Sequence, residues 1–280
     1  MGDMSEIAKR AVFSSKTNQA ISEHAQKLSV FDKKPVLGIV SFSCDQGCQF
    51  AVLFINNIFE ILKKFDVQYF HLLKEKNREA KFDLMFVEGA VTTKKQVKKL
   101  KKIRADSKFL VAFGACACHG GVPAMRNFIE NKELGKYVYN QQLLDDSIPA
   151  AQIDKYVKVD YYLYGCPIIQ DEFIGFIDAF LRSKIPAQFN GPVCLECPRR
   201  GKPECFLRQK SVCLGALTRG GCSAICPAAN FPCMLCRGPL PGANFTAEIK
   251  LFESWGLSPE AVLEKINVFQ NIEVKDGKKN

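Results

Sequence analysis

The chain has a single tryptophan and only three histidines. A histidine-based catalytic triad or a histidine-rich metal site therefore has little to draw on. No apolar run reaches the ~18 to 20 residues that a membrane span needs. Residues 1–29 show no apolar core followed by a small-residue cleavage site, and no paired arginines. A secretory signal is not expected, and a cytoplasmic location is. No Gly-Lys-Ser/Thr ending and no G-x-G-x-x-G opening a helix is present, so nothing marks a phosphate-binding loop. The hydrophobic fraction is 47% and the charged fraction 24%, which excludes a disordered or fibrous chain. At 280 residues there is room for one large domain or two modest ones.

What is abundant is cysteine, at 13 residues. In a chain of this length without a signal, a disulfide scaffold is not the expected use. Five cysteines lie between Cys44 and Cys166, each beside glycine-rich or turn-like sequence, and eight crowd into Cys194 to Cys236. Such crowding reads as metal or iron–sulfur ligation. The formal charge is +10 with cysteines counted neutral. One reading of that excess is a nucleic-acid surface. The other is compensation: a [4Fe–4S] core with four thiolates carries roughly −2, and three of them would offset about six charges. The second is preferred, because most basic residues are scattered. The dense run from Lys94 to Arg104 surrounds a narrow stripe of Val97, Leu100 and Ile103. It reads first as a solvated helix face and second as a docking face for an acidic partner.

Residues 1–34 read as a polar, helical leader ended by Pro35. Residues 35–187 then alternate. Strands are expected at Val36–Ser41, Val67–Leu73, Asp83–Glu88, Phe109–Gly114 and Tyr161–Tyr164. Helices are expected at Ala51–Phe65, Thr93–Arg104, Val122–Glu130 and Asp171–Arg182, with Phe173, Phe176 and Phe180 in the core. This is an α/β pattern with a parallel sheet covered on both faces. Residues 188–243 hold the eight crowded cysteines with many Gly and Pro and no sustained period, so the segment cannot build an apolar core by itself. Residues 244–280 form a helical tail, split near Gly256 and Pro259.

In the first half, three cysteine sites each follow an expected strand. Cys44 and Cys48 lie in Ser43-Cys44-Asp45-Gln46-Gly47-Cys48, Cys116 in Gly114-Ala115-Cys116-Ala117-Cys118-His119-Gly120-Gly121, and Cys166 in Gly165-Cys166-Pro167. Loops at the carboxyl ends of parallel strands converge on one crevice, so thiolates distant in sequence can meet there. Adjacent glycines let backbone approach and donate N–H bonds to sulfur. Taken singly, each could be a buried structural cysteine. In the second half, Cys194 and Cys197, Cys205, Cys213, Cys222, Cys226, and Cys233 and Cys236 divide into two sets of four. Two Cys₄ zinc sites compete with two iron–sulfur clusters there, and spacing does not assign cysteines to sets.

With these motifs the chain resembles the small, electron-transferring subunit of soluble [NiFe] hydrogenases, of the sulfhydrogenase and deazaflavin- or heterodisulfide-reductase-linked types. It is more distantly similar to the cluster-bearing 20-kDa subunit of NADH dehydrogenase. The segments carrying the resemblance are Ser41 to Gln49, Val87 to Val91, Gly114 to Met125, Val159 to Pro167, Cys194 to Pro198, Ala216 to Pro227 and Pro232 to Pro239. It implies a flavodoxin-like domain whose proximal [4Fe–4S] cluster is held by Cys48, Cys116, Cys166 and a residue near Cys44. An irregular, ferredoxin-like region would follow with two more [4Fe–4S] clusters, and then the C-terminal helix. It also implies a separate large subunit carrying the nickel–iron centre, and an acceptor of flavoprotein or disulfide-reductase type. No nucleic acid and no membrane span are implied.

One departure stands out. The family's first ligand sits three positions before Cys48, where this chain has Asp45, and the cysteine falls one earlier at Cys44. Cys44 stands first among the candidates, Cys118 next and Asp45 third, since an oxygen donor is harder. His119 is a further possible substitute, although a turn histidine bonded to backbone is the preferred reading. Glu88 ends an apolar strand at the same crevice, where it either accepts backbone hydrogen bonds or takes part in proton movement or the subunit interface. Two competing functions remain: a zinc-stabilised nucleic-acid-binding protein, and a cluster-bearing relative that serves a different catalytic subunit.

Overall fold

The computed structural model describes residues 33–137 and 146–269. The expected leader therefore falls almost wholly outside the described residues. The first half contains β1 (Val36–Ser41), α1 (Gly47–Leu53), α2 (Ile58–Leu62), β2 (Asp66–Phe70), β3 (Phe82–Glu88), β4 (Val91–Thr93) and α3 (Lys94–Ala105). After these come β5 (Ser107–Phe113), α4 (Gly114–His119), α5 (Asn131–Tyr137), β6 (Ser147–Ala151), β7 (Tyr161–Leu163) and α6 (Gln170–Leu181). Five strands form one parallel sheet in the order β2-β1-β3-β5-β7. Counting only these strands, the order is that of a flavodoxin-like sheet, with its switch point between β1 and β3.

Both faces of the sheet are covered, which is why its strands read as unbroken apolar runs. On one face Ile39, Leu84, Phe86, Val111 and Phe113 pack against α1, α2 and α6. Phe86 is fully buried there, with ring centroids 5.3 Å from Phe113, 5.4 Å from Phe173 and 5.8 Å from Phe176. On the other face Val40, Met85, Val87, Leu110 and Ala112 meet Leu100 of α3, and Ala117 and Cys118 of α4. Thr93 caps α3: its side chain accepts from the Gln96 N–H while the Gln96 side chain accepts from the Thr93 N–H. Leu100 is the buried residue of α3. Its lysines line the solvent side, with Lys102 paired to Glu79.

Several boundaries differ from expectation. The single helix expected over Ala51–Phe65 is two, because the chain turns at Phe54–Asn57, where two asparagines favour turn over helix. Val122–Phe128 is a 3₁₀ helix starting after Gly121. A separate antiparallel pair of β4 with β6 joins segments more than fifty residues apart, and no sequence signal announced it.

Beyond α6 the chain is irregular. Its regular elements are short 3₁₀ turns at Val193–Leu195 and Leu214–Ala216 and a four-residue helix α7 (Ile225–Ala228). It borrows its apolar support. The tail helices α8 (Phe245–Glu253) and α9 (Pro259–Ile266) bring Phe252, Val262 and Ile266 onto Leu214, Leu217 and Leu235. Gly256 breaks the tail at φ +91°, and Ser258 caps α9 with Pro259 in its first turn.

Candidate functional site

The register of the sheet sets one row of residues side by side. Ser41 pairs with Glu88, Glu88 with Phe113, and Phe113 with Leu163. These are the carboxyl ends of four adjacent strands; Cys48 and Cys116 sit in the first turns of the helices α1 and α4 that follow β1 and β5, and Cys166 in the loop after β7. All three cysteines line one cavity, together with Asp45 and Glu88. Sequence places them at strand ends, and the register explains why they meet.

Glycines make the approach possible. Gly114 opens α4 at φ +83°, and a Cβ there would lie 2.3 Å from Cys48 Sγ. Gly121, at φ +56°, passes so close to Cys116 that a Cβ would sit 2.8 Å from its Sγ. Glu88 is buried and fixes the first loop. Its carboxylate accepts from the Cys48 N–H at 3.0 Å and from Gln49 Nε2 at 2.8 Å. Burial raises its pKa, against the pull of those hydrogen bonds. In this structure Glu88 is thus an acceptor for one backbone and one side-chain N–H group.

The sequence left the fourth position of this site open. Cys44 is half-buried, with its thiol 3.9 Å from the Phe42 carbonyl oxygen. It does not line the cavity, whereas Asp45 does. Asp45 Oδ1 accepts the Gly47 N–H at 2.9 Å, leaving its second oxygen outside that bond. Cys118 faces away: it lies on the opposite side of the sheet, and its thiol donates toward the carbonyls of Leu163 at 3.5 Å and Ala112 at 3.6 Å. His119 is the half-buried last residue of α4, not a turn residue; its Nδ1 is 2.9 Å from the Phe269 carbonyl oxygen, and it lines neither cysteine cavity.

A second, larger cleft of about 630 Å³ opens between the sheet and the irregular segment. Cys222, Cys226, Cys233 and Cys236 line it, and so does Cys166, which thereby belongs to the walls of both cavities. Burial, and then the charges of Cys226, Cys222 and Cys166, push the Cys236 thiol up to about 11. Cys233 donates to Thr218 Oγ1 at 3.2 Å, and burial takes its thiol to about 12.

The remaining four cysteines form a third neighbourhood. Burial first, and then the charges of Cys213, Cys197 and Cys205, push the Cys194 thiol up to about 12. Gly215 is the close wall: a Cβ there would be 3.3 Å from Cys194 Sγ and 3.7 Å from Cys213 Sγ. The Cys233 N–H reaches Cys213 Sγ at 3.3 Å, so the second and third neighbourhoods abut.

The chemistry of the donors is uniform. Burial raises the thiols of Cys44 and Cys116 to about 12 and lifts Cys48 and Cys166 as well. Such groups ionise when a cationic centre displaces their protons. Soft sulfur donors, backbone held close by glycine and room between the thiols together fit a metal–sulfur group. Among the described residues, no three His, Cys, Asp or Glu side chains are gathered tightly enough to grip a single ion. Sequence reasoning missed Gln49 and Arg237. Both are buried polar residues whose carboxylate partners lie 39 and 65 positions away, which no local pattern shows.

Comparison with known proteins agrees with this geometry. Residues 44–180 match the family described as NADH ubiquinone oxidoreductase, 20 Kd subunit. Sulfhydrogenase 2 subunit delta of Pyrococcus furiosus is 31% identical over 237 residues, covering 83% of this chain and 98% of that protein. The iron-sulfur subunit of the F420-non-reducing hydrogenase of Archaeoglobus profundus is 31% identical over 226 residues, covering 63% of this chain and 70% of that protein. Among solved structures, a NAD⁺-reducing [NiFe]-hydrogenase in the H₂-reduced state aligns with a TM-score of 0.50 and 25% identity, over 55% of this chain and 95% of that one. A reduced, active Ni-Fe-Se hydrogenase from Desulfomicrobium baculatum shares the fold, with a TM-score of 0.53 and 17% identity over 74% of this chain and 95% of that one. Among the described residues no helix is long and apolar enough to cross a membrane. The strand-end thiols, the parallel sheet and these relatives agree: the chain belongs to the family of small, electron-transferring subunits of [NiFe] hydrogenases.

Proposed function

We propose that this chain is the relay of a hydrogenase, holding three [4Fe–4S] clusters in a row and performing no substrate chemistry itself. Cys48, Cys116 and Cys166 hold the first. Asp45 is its fourth donor on the strength of its place in the cavity, with Cys44 as the alternative. Cys222, Cys226, Cys233 and Cys236 hold the second, and Cys194, Cys197, Cys205 and Cys213 the third. Such clusters, when bound, take up and release single electrons at potentials set by burial and by hydrogen bonds to sulfur.

The observation that carries this reading is Cys166. It lines both the first cavity and the second, so the two sites are separated by a single side chain. The contact between the Cys233 N–H and Cys213 Sγ continues the row to the third set. The chain's own contribution is to hold thiolates, supply N–H donors and keep water out. The [NiFe] large subunit is the partner on the side of the first site. On the helix that carries Cys48 and at its end, Phe50 and Phe54 are 46% and 75% exposed with ring centroids 6.4 Å apart, an apolar pair free for a partner to cover. The acceptor, a flavoprotein or a disulfide-reductase-type protein, takes electrons from the other end of the row.

The test is anaerobic purification with iron, sulfide and zinc analysis. Brown protein with about twelve iron atoms per chain, the sum for three cubane clusters, supports the relay. A colourless, zinc-loaded protein overturns it in favour of the zinc reading.

A further inference from the structure

Arg237 is a buried cation that the relay, as described, leaves without a task. Its side chain is only 4% exposed. Nη1 and Nη2 make a two-pronged ion pair with Glu172 at 2.7 and 2.8 Å, Nε donates to the Gly220 carbonyl at 2.9 Å, and Nη1 donates to the Tyr164 carbonyl at 3.0 Å. Glu172 stands in the first turn of α6, Tyr164 follows β7, and Gly220 precedes Cys222. One guanidinium thus ties the sheet to the irregular segment. The fit is tight: at Gly221, φ +102°, a Cβ would lie 2.8 Å from both Arg237 Nη2 and Glu172 Oε1.

As a stabilising device a buried ion pair is poor, since desolvation consumes most of the attraction. Its orientation suggests a different use. Arg237 lines the second cleft alongside Cys222 and Cys236, and Glu172 does not. The positive end therefore faces the thiols and the negative end is set back. The carboxylate nearest the Cys222 turn is Glu196, which is itself engaged by the N–H groups of Gly221 at 2.6 Å and Ser223 at 3.2 Å. Arg219, the other nearby cation, is stacked on the Tyr164 ring at 4.4 Å.

We propose that Arg237 is a positioning residue that raises the reduction potential of the iron–sulfur group in the second cleft, and that the ion pair with Glu172 holds its charge in place. This rests on the relay reading above. Adding one electron to the group makes it more negative by one charge. A fixed guanidinium in a site of low dielectric stabilises that reduced form more than the oxidised one. The middle of the row then becomes the place where electrons collect.

The test is a redox titration followed by electron paramagnetic resonance. It uses the anaerobically purified full chain in its native complex, with a low-potential chemical reductant as electron source and iron counted for every variant. Glu172→Gln removes the set-back anion and is expected to raise the midpoint of one cluster signal. Arg237→Gln combined with Glu172→Gln is expected to drop the same midpoint below the wild-type value, while Arg237→Lys keeps it near wild type. Unchanged midpoints at full iron content overturn the proposal. If the double variant loses its iron, Glu172→Gln decides alone: a midpoint that stays or falls refutes it. Wild-type protein without iron overturns the relay reading, and this proposal with it.

Discussion

Gly114→Ala gives a direct test of the first site, because the structure supplies the size of the insult. Gly114 sits at φ +83°, where an L side chain costs about 1–2 kcal/mol. The new methyl would stand 2.3 Å from Cys48 Sγ, against an ordinary contact that begins near 3.4 Å. The sulfur or the strand end must yield by roughly 1 Å, twice the ~0.5 Å tolerance within which a functional constellation works. The backbone of Cys48 is pinned by its N–H bond to Glu88, so the movement falls on the thiol. The fold should survive, since the sheet and its two apolar faces are untouched. The expected result is a stability loss of about 1–3 kcal/mol in the metal-free chain, read by thermal melting. Iron content should fall by about four atoms per chain. Resonance signals of the other two clusters should persist. Gly175→Ala is the matched control, because a Cβ there meets nothing within 4 Å, and it should keep all its iron. Full iron and an unaltered spectrum in Gly114→Ala would show that Cys48 Sγ is not a ligand, and the first site would have to be redrawn.

Three further substitutions separate the remaining candidates. Asp45→Ala should weaken or alter the first cluster's signal more than Cys44→Ala does, because Asp45 lines the cavity and Cys44 does not; the opposite order hands the position to Cys44. Cys118→Ala should leave iron content unchanged and cost on the order of 1 kcal/mol in a thermal melt, as a small core deletion does; loss of a cluster would contradict its placement on the far face of the sheet.

The sheet was legible in the sequence because burial on both faces writes strands as contiguous apolar runs, such as Leu84 to Val87. Helix α6 was legible because Phe173, Phe176 and Ile177 recur at helical spacing, and all three are buried. The convergence of Cys48, Cys116 and Cys166 followed from their places after strands, a rule of topology rather than of local pattern. What the sequence hid is non-local. Cys116 and Cys118 look like neighbours, yet positions i and i+2 of a helix point to nearly opposite sides, so one lines the cavity and the other joins the core behind the sheet. The three-residue strand β4 is too short to carry a period, and its partner lies far along the chain. The division of the eight crowded cysteines depends on how an irregular segment folds back, and spacing records nothing of that.

The tail helices have a bearing on how the protein is made. Phe252, Val262 and Ile266 form the floor under Leu214 and Leu217, next to Cys213 and the Gly215 wall. They leave the ribosome after every cysteine they support. Until they arrive, the thiols of Cys194 and Cys213 have no finished pocket, and inorganic iron and sulfide delivered early would meet a floppy, oxidisable loop. On the proposed relay, insertion of the third cluster is coupled to synthesis of the tail, and clipping the chain after Gly242 should yield a polypeptide that keeps its sheet but holds about four fewer iron atoms.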